Sequence, residues 1–190
     1  MTGSTLAAPL ISESSYWYLT RASGFISLGL FSAAAALGLL TAGRVWSPRW
    51  PRFVTESLHR SVSLVAVGMV FVHVITILLD RYVKISPIDA VVPFMSGYLP
   101  FWVGLGALAF DVIIVLILTS LLRTRLSRSV WKAVHWLAYA GWPIALAHTI
   151  GIGTDRLWVL AVVGTSLLIV LLAGAYRVAG WRRVVVRRPL

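Results

Sequence analysis

Histidine occurs four times in this chain of 190 residues, at His59, His73, His135 and His148, as two pairs spaced 14 and 13 residues apart on two separate apolar segments. At ~1.5 Å of rise per helical residue, each pair sets two imidazoles about 20 Å apart along its helix, one near each edge of a bilayer core of about 30 Å. Paired imidazoles at two depths are ligand geometry for two stacked haems. Two ring ligands on each iron leave no open coordination position, which favours electron transfer over oxygen binding at the iron. Cysteine is absent, so disulfides, thiolate-ligated iron, iron–sulfur clusters and cysteine nucleophiles are excluded for this chain, and a bound metal must rely on histidine or oxygen ligands.

The elements that must hold these imidazoles are membrane helices. Hydrophobic residues make up 59% of the chain and the mean hydropathy is +0.88, outside the range of soluble domains. Five spans are expected, at Ala22–Ala42, Leu58–Leu79, Leu99–Leu122, Val130–Ile150 and Leu157–Tyr176, each about 20 residues long as a bilayer requires. Residues 1–21 then form an extracytoplasmic N-terminal segment, 22–176 the membrane domain and 177–190 a basic cytoplasmic tail. Met1–Ser15 has no lysine or arginine, so it lacks the charged front of a signal peptide and the first span is expected to stay in the mature protein.

Charge orients the spans. The net charge is +11, and 13 of the 17 basic residues follow spans one, three and five, including Arg44, Arg49, Arg60, Arg123, Lys132, Arg182 and Arg187. Basic loops stay cytoplasmic, which puts the N-terminus outside and the C-terminus inside a plasma membrane, bacterial by its arginine-rich composition without asparagine or glutamine. The basic residues sit beside apolar segments with no soluble domain to present them, which argues against nucleic acid and for lipid as the partner.

Spans two and four both run from inside to outside in this topology, so His59 pairs with His135 near the inner face and His73 with His148 near the outer face. Fourteen residues return within about 40° of the same helical face, and the stripe between His59 and His73 is Ser63, Ala66 and Val70, with Gly68 beside it, small enough for flat macrocycles. Thirteen residues leave the fourth span about 140° out of phase, a gap that a kink at Gly141 and Pro143 is expected to close.

The chain resembles the ferric reductase-like transmembrane domain found in ferric reductases, NADPH oxidases and the haem subunit of a methionine sulfoxide reductase system. The resemblance rests on Leu58-His59-Arg60 with His73, on Thr119-Ser120-Leu121-Leu122-Arg123, on Trp131 to His135, and on Tyr139, His148 and Gly153-Thr154-Asp155. It implies an all-α membrane bundle that holds two b-type haems between the second and fourth spans, with the four histidines as axial ligands. Larger relatives have six spans and continue into a flavin and nicotinamide domain, whereas no Gly-rich dinucleotide fingerprint follows a strand here. A cytoplasmic flavoprotein or a quinol is therefore the expected donor, and flavin comes only with such a partner. An extracytoplasmic redox protein, ferric iron, oxygen or a quinone remains as the acceptor.

Arg44, Arg60 and Lys132 fall near the inner level, and Arg81, Lys84 and Arg156 near the outer, as candidates to pair with haem propionates. Asp111 lies near the middle of span three, where a charged carboxylate costs about 2.5–3.5 kcal/mol, so it is expected to face the bundle. Trp142 lies between the two ligand levels, either as core packing or as a bridge for electrons, and Ile85–Tyr98 is expected to form a half-helix over the outer site. No nucleophile–base pair or carboxylate pair suits hydrolysis. Two rival functions remain, a haem anchor subunit for a separate reductase, and a small transporter or proton channel with the histidines as a relay.

Overall fold

A backbone surrounded by Leu, Val, Ile and Ala side chains, in a solvent that cannot take its N–H and C=O groups, must satisfy those groups within each segment, and the helix does so. The structure, a computed structural model, describes residues 13–42 and 51–186, and every regular element among them is a helix. They are α1 (Glu13–Ala42), α2 (Arg52–Leu79), α3 (Pro87–Val91), α4 (Pro100–Leu121), α5 (Arg128–His135), α6 (Leu137–Ile152) and α7 (Arg156–Val186). Four of these, α1, α2, α4 and α7, are long and apolar enough to cross a membrane, compatible with a multi-pass membrane protein.

The expected fourth span is divided. Where one helix was predicted over Val130–Ile150, α5 and α6 meet at Trp136. The Tyr139 N–H donates to the Trp136 carbonyl at 3.0 Å, three residues back instead of four, a 3₁₀-type tightening that turns the chain about its axis. Pro143 lies inside α6, so the interruption between His135 and His148 sits at Trp136, directly after the first histidine, and not at the proline. The flanking elements also outrun the predicted boundaries: α1 begins at Glu13, α2 at Arg52, and α7 continues to Val186 through most of the predicted tail.

Helix α1 is the hub. It packs against α2 along its length and also against α7 and α6, while α4 packs against α6 and the short α3. Leu28 of α1, Leu146 of α6, and Val159 and Val163 of α7 form a buried core, against which Phe25 and Trp142 pack. The Trp142 Nε1–H donates to Ser32 Oγ of α1 at 2.9 Å, and Ser32, fully buried, donates onward to the Leu28 carbonyl at 2.7 Å. Ser23 and Ser27 bond back to carbonyls four residues earlier in the same way, so these interior hydroxyls are satisfied within their own helix.

The connector 80–99 carries the five-residue α3. Ser86 caps it: the Asp89 N–H donates to Ser86 Oγ at 3.4 Å and the Ser86 N–H donates to Asp89 Oδ2 at 2.8 Å, a reciprocal capping box. Lys84, Phe94 and Leu99 adopt positive φ, at 50°, 68° and 40°, a costly conformation for side-chain-bearing residues that surrounding contacts must fix. Gly104 of α4 supplies one such contact, since a Cβ there would overlap the Phe94 ring and meet its backbone nitrogen at 2.6 Å.

Candidate functional site: two facing histidine pairs

The structure brings the four histidines together two by two. The His59 and His135 rings lie 6.1 Å apart between centroids with planes at 75°, and the His73 and His148 rings 6.4 Å apart at 83°. His59 and His73 come from α2, His135 ends α5 and His148 stands on α6.

Each ring is held from behind, three of them in one way. His59 Nδ1 lies 2.9 Å from the Ala34 carbonyl oxygen, His73 Nδ1 2.8 Å from that of Thr20, and His148 Nδ1 2.8 Å from that of Trp102. A carbonyl only accepts, so Nδ1 carries the proton in all three. Nε2 is then the nitrogen with the free lone pair, the arrangement by which proteins orient a metal-binding imidazole. His135 has no such carbonyl among the described residues. It stacks on Trp131, one turn back on the same helix, at 4.8 Å and 18°, and the Arg123 guanidinium lies over that indole at 5.1 Å.

A cavity opens around His73 and His148, between α1 and α2 on one side and α4 and α6 on the other. Gly24, Gly106, Ala107 and Ala145 keep its walls low, Phe25, Phe31 and Phe110 make them apolar, and Ile85, Asp89 and Tyr98 of the connector stand at one end. Two polar atoms on its lining, Thr20 Oγ1 and Asp80 Oδ2, are buried without a hydrogen-bond partner among the described residues. The other Asp80 oxygen accepts from the Tyr82 N–H at 2.8 Å.

The cationic candidates fare differently. Arg44 lies outside the described residues, and Arg60 and Lys132 are exposed on their helices. Arg81, Lys84 and Arg156 are exposed too, whereas Arg21 lines the cavity. Arg21 lies over the Trp17 ring at 4.5 Å and its Nη1 donates to Thr154 Oγ1, tying α1 to the α6–α7 turn. Arg21 is not among the cations that the sequence singles out as propionate partners. Ala66 and Val70 are buried as the predicted stripe requires, but Gly68 is exposed, with nothing near the position of a Cβ. Asp111 is half-buried and does not touch the histidines through any hydrogen bond or ion pair. No cluster of three or more histidine, cysteine or acidic residues that could hold a bare metal ion exists among the described residues; the donor set is two pairs of imidazoles.

Among the described residues every regular element is a helix, four are long and apolar enough to cross a membrane, and four half-buried histidines stand in two pairs, which defines a class of helical proteins compatible with multi-pass membrane insertion. Within it, the model of a family described as a domain of unknown function (DUF8596) matches residues 11–155, and the chain belongs to that family. No curated protein and no solved structure matches the chain.

Proposed function

We propose that the chain is a membrane electron carrier whose four histidines hold two haems, His59 with His135 at one and His73 with His148 at the other, in a bundle of five spans completed by α5 and α6 together. The observation that carries this reading is the separation of the rings. Metal–imidazole bonds of about 2.0 Å, each extended by about 1.1 Å from nitrogen to ring centre, would put the centroids of two imidazoles holding one metal from opposite sides about 6.2 Å apart, and the ring centroids here stand 6.1 Å and 6.4 Å apart. Two imidazoles alone fill two of the six positions of an octahedral iron, so the donor set suits a metal whose other four ligands come with it, as a porphyrin iron does. The Nδ1 hydrogen bonds leave Nε2 as donor on three of the rings, and the apolar cavity with glycine and alanine walls suits a flat macrocycle. The likeness to ferric reductase-like transmembrane domains supports the same reading.

Haem, when bound, supplies a reversible one-electron couple. The chain's own part is to hold, space and insulate. His59 and His73 stand 14 residues apart on α2, about 21 Å along the helix, so the two sites lie at two depths. Phe25, Phe31 and Phe110 exclude water around the second, and Arg21 is placed to neutralise an acidic edge group there. With the His59–His135 pair on the cytoplasmic side, as the arginine distribution orients the chain, an outward-moving electron gains about 2.3 kcal/mol per 100 mV of negative-inside potential over a full crossing.

Proteoliposomes test the function. With a reductant enclosed on the cytoplasmic face and membrane-impermeant ferricyanide outside, haem-replete wild-type protein reduces the ferricyanide, and His73→Ala and His148→Ala do not. Equal rates from wild type and variants, or no reduction by the haem-replete protein, would refute it.

A further inference from the structure

Three of the four imidazoles reach their carbonyls by the same device. The acceptors are Thr20, Ala34 and Trp102, and four residues after each comes a glycine: Gly24, Gly38 and Gly106. A helical carbonyl points toward the residue four places on, so an outside donor must approach it past that residue's Cα, where a Cβ would stand. A Cβ on Gly106 would meet His148 Cε1 and Nδ1 at 2.6 Å, one on Gly24 would meet the same atoms of His73 at 3.0 Å, and one on Gly38 would meet His59 Cε1 at 3.5 Å. Gly24 and Gly38 are 14 residues apart on α1, as His59 and His73 are on α2. A Cβ on Gly104, Gly141, Gly151 or Gly153 would instead meet Phe94, Val112, Trp102 or Val159, and one on Gly29, Gly68 or Gly164 would meet nothing, so among the described glycines contact with a histidine ring is confined to three.

The fourth ring is the exception. Fourteen residues beyond Gly106 on α4 stands Ser120, exposed, and His135 is held instead by the Trp131 stack, with Arg123 over the indole. A hydrogen bond from Nδ1–H to a carbonyl fixes the ring and strengthens its donation to a metal, and stronger donation favours the more highly charged, oxidised state. Resting on the haem reading, we propose that Gly24 and Gly106 are positioning residues for the imidazoles of His73 and His148, and that the lack of a fourth notch makes the His59–His135 site the more easily reduced of the two. Both ligands of the His73–His148 site are carbonyl-bound; only one ligand of the other site is.

Potentiometric titration of the haem-replete full-length protein, followed through its haem absorption, tests this. Wild type gives two resolved reduction waves. Gly106→Ala raises the lower-potential wave or removes it and leaves the upper one in place, and Gly24→Ala does the same to a smaller degree. Gly38→Ala, with ordinary van der Waals clearance, leaves both waves unmoved. Trp131→Leu alters the upper wave alone. The EPR spectrum of the oxidised protein gives a second readout that a fold defect would not mimic, because the signal of the His73–His148 site shifts in Gly106→Ala while that of the other site stays. A shift of the upper wave by Gly106→Ala, no shift in a variant that keeps two haems, or a single unresolved wave in wild type overturns the inference. Absence of haem from wild type would instead refute the parent reading.

Discussion

Trp142 separates two accounts of how the pairs communicate, and Trp142→Phe decides between them. The indole N–H donates to Ser32 Oγ at 2.9 Å, bridging α6, which carries His148, and α1, which supplies two of the anchoring carbonyls. Phenylalanine keeps most of the ring's contact with the Leu28, Leu146, Val159 and Val163 core and removes the donor. Ser32 still donates to the Leu28 carbonyl, so no buried donor is orphaned and only one accepted bond is lost. That costs about 1 kcal/mol, or about 2–4 °C in the unfolding midpoint of a chain this size. Trp142→Ala removes the packing as well and costs about 3–5 kcal/mol. If Trp142 only packs, electron transfer through Trp142→Phe in proteoliposomes stays within about twofold of wild type, since about 0.4 kcal/mol of barrier is all that a factor of two represents. A fall of an order of magnitude in rate, with both haems retained and the midpoint lowered by no more than the hydrogen bond explains, would refute the packing account.

Three further outcomes follow from particular contacts. Gly151→Ala drives a Cβ into the Trp102 ring, an overpacking worth about 1–3 kcal/mol; because the Trp102 carbonyl anchors His148, thermal unfolding and the His73–His148 site are both expected to suffer. Asp111→Asn, at a residue joined to no histidine by hydrogen bond or ion pair, is expected to leave the haem content of the purified protein unchanged, and loss of one haem would show that Asp111 serves a site. The ring planes at 75° and 83° predict strongly anisotropic low-spin EPR signals from the oxidised protein; the ordinary rhombic pattern of parallel imidazoles would contradict the geometry.

Much of this architecture is legible in composition and spacing. Hydropathy alone finds the apolar stretches of α1, α2, α4 and α7, because a membrane span needs an apolar run and little else. The division at Trp136 escapes such reading: Arg128, Lys132 and His135 make α5 polar, yet a 20-residue window averages them with the apolar α6. The phase mismatch of 13 residues predicts a kink at Gly141 and Pro143, whereas the helix is interrupted at Trp136 and Pro143 lies inside α6. The glycine notches escape for a different reason. Gly24 and Gly38 repeat the 14-residue interval of His59 and His73, but the match acquires meaning only once α1 and α2 are known to pack along their length. Sequence does not distinguish the cations near the cavity, because a loop arginine such as Arg81 and a helical one such as Arg21 have the same charge, and only packing puts Arg21 on the lining.

The pyridine haemochrome of wild-type protein, purified after expression with ample haem and referred to protein concentration, tests the central claim most directly. Two b-type haems per chain, with split bands on reduction, is the predicted result. A colourless preparation that is nonetheless folded and helical would contradict it, and the facing imidazoles would then need another purpose.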